Sequence, residues 1–210
     1  KNKLIKLGIN EKKIRLIPLG IDLDIFKPLN KNDFLTNRNK LGILSDTIVV
    51  GSFQKDGNGW GEGLEPKLEK GPDIFCDLME KLSTKYNIFV LLTGPARGYV
   101  KKRLKKVNIK YKHEYLENPN DVVNYLQLCD LYVVSSREEG GPKAILESMA
   151  CGIPIISTRV GMAPDVIDDG KDGFLVGIEN RKELLDKCRI LIENKKNRKN
   201  IIAAAREKVK

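Results

Sequence analysis

Along the chain, short apolar runs alternate with stretches whose apolar positions recur every three or four residues. The runs 47–53, 88–93, 109–111, 131–134, 153–157 and 173–176 predict six strands, apolar throughout as expected for strands covered on both faces. Helical patterns fall between them at 73–85, 99–107, 119–129, 142–151 and 163–167, with a last helix over 181–208. In the first of these, Ile74, Leu78, Met79 and Leu82 form one apolar stripe. Repeated βα units predict a parallel sheet with right-handed crossovers and a ligand at the carboxyl ends of the strands. Gly51, Gly94, Ser135, Ser136 and Gly161 fall at those predicted ends. Residues 1–30 predict a short helix, an edge strand over 13–17 and a hinge, ahead of a domain over 31–210. In segment 55–70, Gly57, Gly59, Gly61 and Gly63 surround Trp60, which predicts a long mobile loop.

The densest chemistry lies in Glu139-Gly140-Gly141-Pro142-Lys143-Ala144-Ile145-Leu146-Glu147, just after the fourth apolar run. Pro142 suits a first helical position. Glycines before it let a backbone approach a ligand closely. The unpaired amides of a helix start attract anions. Glu147 would fall in the second turn, leaning back toward that start, so both carboxylates can face one ligand. Carboxylates accept from hydroxyl pairs, whereas helix-end amides suit phosphate. A nucleotide sugar, with phosphate in the middle and polyols at both ends, fits all of it.

Composition narrows the partners. The formal charge of +10 favours anionic ones. The basic residues are scattered without interleaved aromatics, so nucleic acid is not expected. The densest run, Lys101-Lys102-Arg103 with Lys105 and Lys106, predicts a solvated helix face. Cys76, Cys129, Cys151 and Cys188 are widely spaced, which predicts buried reduced thiols rather than a zinc site and favours the cytoplasm. No apolar run reaches transmembrane length, and nothing resembles a signal peptide. His113, the one histidine, reads as structural.

Segment 139–147, followed by Ser148-Met149-Ala150-Cys151-Gly152-Ile153-Pro154, resembles the paired-glutamate motif of retaining family 4 (group 1) glycosyltransferases. Three further pieces are similar and occur in the family's order. They are Ile17-Pro18-Leu19-Gly20-Ile21-Asp22 with Phe26 and Pro28, Lys70-Gly71-Pro72, and Gly170 with Asp172-Gly173-Phe174-Leu175-Val176. The resemblance covers nearly the whole chain. It implies an α/β, Rossmann-like parallel sheet with helices on both faces, the C-terminal half of a two-domain GT-B fold whose acceptor domain precedes Lys1. It implies a hexosyltransferase that moves a sugar from a nucleoside diphosphate donor, with retention, to a sugar, lipid or protein acceptor. No metal and no cofactor besides the donor are expected, and peripheral contact with an anionic membrane on the cytoplasmic face is compatible.

Carried onto this sequence, the motif gives catalytic roles to Glu139, at the donor sugar's hydroxyls, and Lys70, at the diphosphate. Glu147 would take the ribose hydroxyls. Gly141, Pro142, Lys143, Ala144, Lys55, Gly51 and Tyr115 complete the expected donor contacts. The sequence departs from the family after the first strand, where Ser52-Phe53-Gln54-Lys55 replaces an expected arginine. Lys55 can substitute as a point charge rather than a planar fork. Because the family's acceptor contacts lie on the other half, this chain alone is expected to fold but transfer little. Two alternatives stay open: a non-catalytic nucleotide-sugar-binding module, and a related nucleotide-sugar epimerase, which would need acids and histidines beyond those present.

Overall fold

The structure, a computed structural model, describes residues 2–15, 17 and 19–210, with side chains from Leu4 onward. Six strands are present among these residues: β1 (Ile48–Phe53), β2 (Ile88–Thr93), β3 (Lys110–Glu114), β4 (Leu131–Val134), β5 (Ile155–Thr158) and β6 (Phe174–Val176). All pair in parallel, in the order β3-β2-β1-β4-β5-β6. The helices are α1 (Asn2–Lys6), α2 (Lys31–Lys40), α3 (Pro72–Ser83), α4 (Gly98–Lys106), α5 (Val122–Leu126), α6 (Ala144–Cys151), α7 (Ala163–Val166), α8 (Arg181–Glu193) and α9 (Lys195–Lys208). The expected α/β, Rossmann-like sheet is what the chain forms.

Two apolar layers sandwich the sheet. One gathers Val50, Val90 and Leu92 with Phe75, Met79 and Leu82 of α3 and Leu184 of α8. The other gathers Val49, Leu91 and Val134 with Ile145 and Met149 of α6 and Ala205 of α9. Alternate residues of β1 serve opposite layers because strand side chains alternate faces. All four cysteines are free and buried: Cys76 and Cys188 lie in the first layer, Cys129 and Cys151 in the second. Among the described residues, no helix is long and apolar enough to cross a membrane.

The structure corrects several expectations. Among the described residues of 13–17 no edge strand forms: Glu11–Lys13 make one 3₁₀ turn, and Ile14, Arg15 and Ile17 carry no strand pairing. Leu16 of that segment and Pro18 of the hinge lie outside the described residues, as does Lys1. β3, one of the sheet's two edge strands with β6, is half exposed with Lys110 and Lys112 on it, so it is not covered on both faces. The helix expected over 181–208 breaks at Asn194, whose side chain accepts from the Asn197 amide at 2.9 Å and starts α9 afresh. α2 has no apolar stripe to announce it. Its buried contact is Arg38, which donates twice to the Leu128 carbonyl and pairs with Asp130 at 2.6 Å.

Segment 55–70, expected as a long mobile loop, is tied to the body of the domain at Asp56, Glu62 and Gly63. The Glu62 and Gly63 carbonyls accept from the Gly98 and Tyr99 amides at 2.6 and 2.8 Å, capping the first turn of α4. A side chain at Gly63, at φ +70°, would meet the Ala96 carbonyl oxygen at 2.3 Å. Beneath the loop Asp56 and Arg97, both fully buried, pair at 2.9 Å. Burial pushes the Asp56 carboxyl above the ordinary range, against the pull of Arg97. Trp60, 87% exposed, projects from the loop's tip.

Candidate functional site

The strand order reverses between β1 and β4, and crossovers leave in opposite directions there. An open parallel sheet has its crevice at that point, outside the carboxyl ends of the strands. A cavity of about 560 Å³ occupies it, lined by Phe53 and Gln54 at the end of β1, Thr93 and Gly94 at the end of β2, and Val134 of β4. The start of α6 closes one side with Pro142, Lys143, Ala144 and Glu147. A second cavity of about 570 Å³ adjoins it, sharing Lys67, Lys70 and Glu139.

The floor is built by Tyr132. Its hydroxyl reaches over β1 to accept from the Phe53 amide at 2.9 Å, and its ring meets Phe53 edge-on at 5.3 Å. That path crosses Gly51, where a Cβ would lie 2.7 Å from the Cys129 sulfur and 2.9 Å from the Tyr132 ring. Gly51 therefore sits inside β1 rather than at its end. Gly51, expected as a donor contact, is not among the residues lining the cavity.

α6 begins at Ala144, two residues later than the proline suggested, with Lys143 as its cap residue. Pro142 precedes the helix, and Glu147 lies in its first turn rather than its second. Among the described residues, the Lys143 and Ala144 amides take no acceptor from the chain, so this end can receive an anion. Glu147 has no hydrogen-bonding or ion-pair partner among those residues. Burial pushes its carboxyl above the ordinary value, and the Lys143 charge pulls it partly back. Gly141 is not among the residues lining the cavity; a Cβ there would lie 3.0 Å from Leu19 and 3.4 Å from the Met162 sulfur.

Glu139 stands on the loop between β4 and α6, at the junction of the two cavities. Lys70 does not face it from across the cleft. Its Nζ lies 2.6 Å from Glu139 Oε1, and the same oxygen accepts from Ser136 Oγ at 3.0 Å. The turn carrying Lys70 is fixed by Gly71, at φ +61°, where a Cβ would sit 2.0 Å from the Ser135 carbonyl oxygen. Ser135 Oγ donates to the Gly71 carbonyl at 2.9 Å. Arg137 clamps the loop from the other side by a bidentate pair with Asp73 and an ion pair with Glu179. Lys55 lines the cleft, and its Nζ lies 3.7 Å from the centre of the Trp60 ring. Tyr115, expected as a donor contact, is 69% exposed and borders the cleft after β3. His113 donates from Nε2 to the Gly94 carbonyl at 2.7 Å, and burial lowers its pKa, which fits a neutral structural role. Lys67 lines both cavities and has no local sequence signal; its amide donates to the Asp56 carbonyl at 2.8 Å.

Among the described residues, no group of three His, Cys, Asp or Glu side chains stands together as a metal would require. The model for glycosyl transferases group 1 matches residues 65–208. The N,N'-diacetylbacillosaminyl-diphospho-undecaprenol alpha-1,3-N-acetylgalactosaminyltransferase of Campylobacter jejuni is 33% identical over 201 residues, 93% of this chain and 49% of that protein. Anabaena HepE, solved with UDP-glucose, superposes with a TM-score of 0.81 at 23% identity, over 98% of this chain and 55% of HepE. The C-terminal domain of a group 1 glycosyl transferase (LpcC) from Francisella tularensis gives a TM-score of 0.74 at 19% identity, over 90% of this chain and 96% of that domain. The chain spans 38% to 49% of the length of three curated relatives. With the motif order, the sheet and the family match in agreement, the chain belongs to the group 1 glycosyl transferases.

Proposed function

We propose that the cleft between β1 and β4 binds a nucleoside diphosphate sugar, and that the whole protein transfers this sugar to an acceptor with retention of configuration. The observation that carries the proposal is the convergence, at one switch point, of two carboxylates, two free helix-end amides and the cations Lys55, Lys70 and Lys143. Glu147 accepts the ribose hydroxyls. The amides of Lys143 and Ala144, with Lys70 and Lys55, balance the diphosphate. Glu139 meets the sugar. Leaving-group charge is then stabilised by fixed donors and cations, a large part of catalysis in such sites, without a requirement for metal.

The acceptor, whether sugar, lipid or protein, is held by the remainder of the protein. The Campylobacter relative carries diphospho-undecaprenol in its name, and a chain of formal charge +10 suits an anionic lipid-linked acceptor. A cytoplasmic protein with peripheral membrane contact accommodates both.

Trp60 is the chain's one tryptophan, and Lys55, which covers it, lines the cleft. A diphosphate that draws Lys55 off the ring therefore changes the entire tryptophan emission. Titration with UDP, GDP and ADP is expected to give a saturable change for at least one of them. The corresponding monophosphate binds more weakly, and EDTA leaves the affinity unchanged. Binding at 100 times Kd should also stabilise the fold by about 2.7 kcal/mol. If no diphosphate alters either emission or melting, the donor site is elsewhere.

A further inference from the structure

We infer that Ser136 is a positioning residue for the donor sugar: its buried hydroxyl aims the Glu139 carboxylate. The assignment rests on the donor site proposed above and adds a residue to it. Glu139 stands on a segment without regular secondary structure, so no helix or strand directs its side chain. Direction comes from Oε1, held by Ser136 Oγ at 3.0 Å and Lys70 Nζ at 2.6 Å. Oε2 takes no partner from the described residues. One oxygen anchored and one free is what a carboxylate needs to present lone pairs to a ligand's hydroxyls.

The two anchors differ in kind. The Lys70 side chain keeps 25% of its exposure and sits on a long stem, and the same cation is needed by the diphosphate. Ser136 has no exposure. Its carbonyl accepts from Thr158 Oγ1 at 2.6 Å, and its neighbour Ser135 is bonded to Gly71. The alternative acceptor for its hydroxyl, the Lys70 carbonyl, is more distant at 3.5 Å. The hydroxyl therefore keeps its donor on Oε1 when Lys70 turns to the diphosphate. Ser136 holds the carboxylate's aim through a change of partner that the lysine undergoes.

The test compares wild type, Ser136→Ala, Glu139→Ala and the double variant by calorimetric titration. The probes are UDP, GDP and ADP, each against its glucose ester; the pair with the largest sugar-dependent gain in wild type is carried through. Ser136→Ala is expected to keep the nucleotide's affinity within about twofold, which also reports an intact fold, and to lose the sugar ester's extra affinity by about tenfold, the scale of one hydrogen bond to a charged group. In the Glu139→Ala background the serine change should add nothing, because the two act as one unit. A Ser136→Ala protein with the wild-type ratio of ester to nucleotide overturns the assignment alone. So does equal weakening of both ligands, or a serine effect that persists without Glu139. A wild type that binds neither ligand of any pair overturns the donor site and this assignment with it.

Discussion

Glu147→Gln is expected to melt higher than wild type at neutral pH and to bind nucleotide about 100-fold more weakly, having lost a charged acceptor for two hydroxyls. Both effects have one cause. The carboxylate is held on the cleft's α6 side without a hydrogen-bonding or ion-pair partner among the described residues, and burial pushes its pKa above 4.5. A carboxyl raised on folding costs stability when ionised. The cost is absent below the unfolded value near 4.5 and grows as pH rises through the folded value. Glutamine removes the charge and hence the cost, so the difference in melting temperature should shrink toward zero as pH falls below about 4.5. In wild type, nucleotide affinity should decline on acidification from a pH above the usual glutamate range, because ribose hydroxyls need the ionised acceptor. Scanning calorimetry at pH 7 and pH 4, with titrations at both, checks the pair. Equal melting together with unchanged affinity would place the ribose elsewhere. Such opposition between stability and binding is common where a site keeps an unpaired charge ready for its ligand.

The second large effect lies outside the cleft. Arg97→Ala should destabilise the domain by about 3–5 kcal/mol, the range for breaking a buried ion pair from one side. The guanidinium donates to the Ser52 and Thr93 carbonyls at 2.6 and 2.8 Å and to Ser52 Oγ at 3.1 Å, besides pairing with Asp56. Alanine would remove the donors that the Ser52 and Thr93 carbonyls take from the guanidinium and leave the buried Asp56 carboxylate without its counter-charge. The loss would fall at the ends of β1 and β2, the cleft's wall, and under segment 55–70. Arg97→Lys should recover only part of it, since an ammonium cannot reproduce the planar fork. Urea unfolding at constant m-value measures the cost. A loss under 1 kcal/mol would mean that the segment stands on other contacts.

What the sequence disclosed follows from what burial does to composition. Strands covered on both faces must be apolar, so β1, β2, β4 and β5 were readable within two residues. α3 was readable because its apolar stripe faces the core. The glutamates at 139 and 147 were readable because a glycine pair and a proline mark a helix start. Features carried by polar side chains inside the fold were not legible. α2 turns Arg38 inward, which no hydrophobic period detects. The brace under segment 55–70 depends on Arg97, in a different loop. The Lys70–Glu139 pair joins residues 69 positions apart, and only the sheet's switch in direction brings them together. The start of α6 slipped by two residues because Lys143 takes the cap, a choice that local propensity leaves open.

The four cysteines give the molecule a built-in clock for its own opening. Thiols react as thiolates; burial pushes Cys76 and Cys151 up to about 12 and Cys129 and Cys188 also upward. Alkylation in the native state must therefore wait for local unfolding. The thiols divide two and two between the layers, so mass spectrometry of each site times the breathing of each side of the sheet separately. UDP bound over α6 should slow the labelling of Cys151, at the far end of that helix, more than that of Cys188 on the opposite side. Equal slowing would mean that the two layers come apart together, as one cooperative unit.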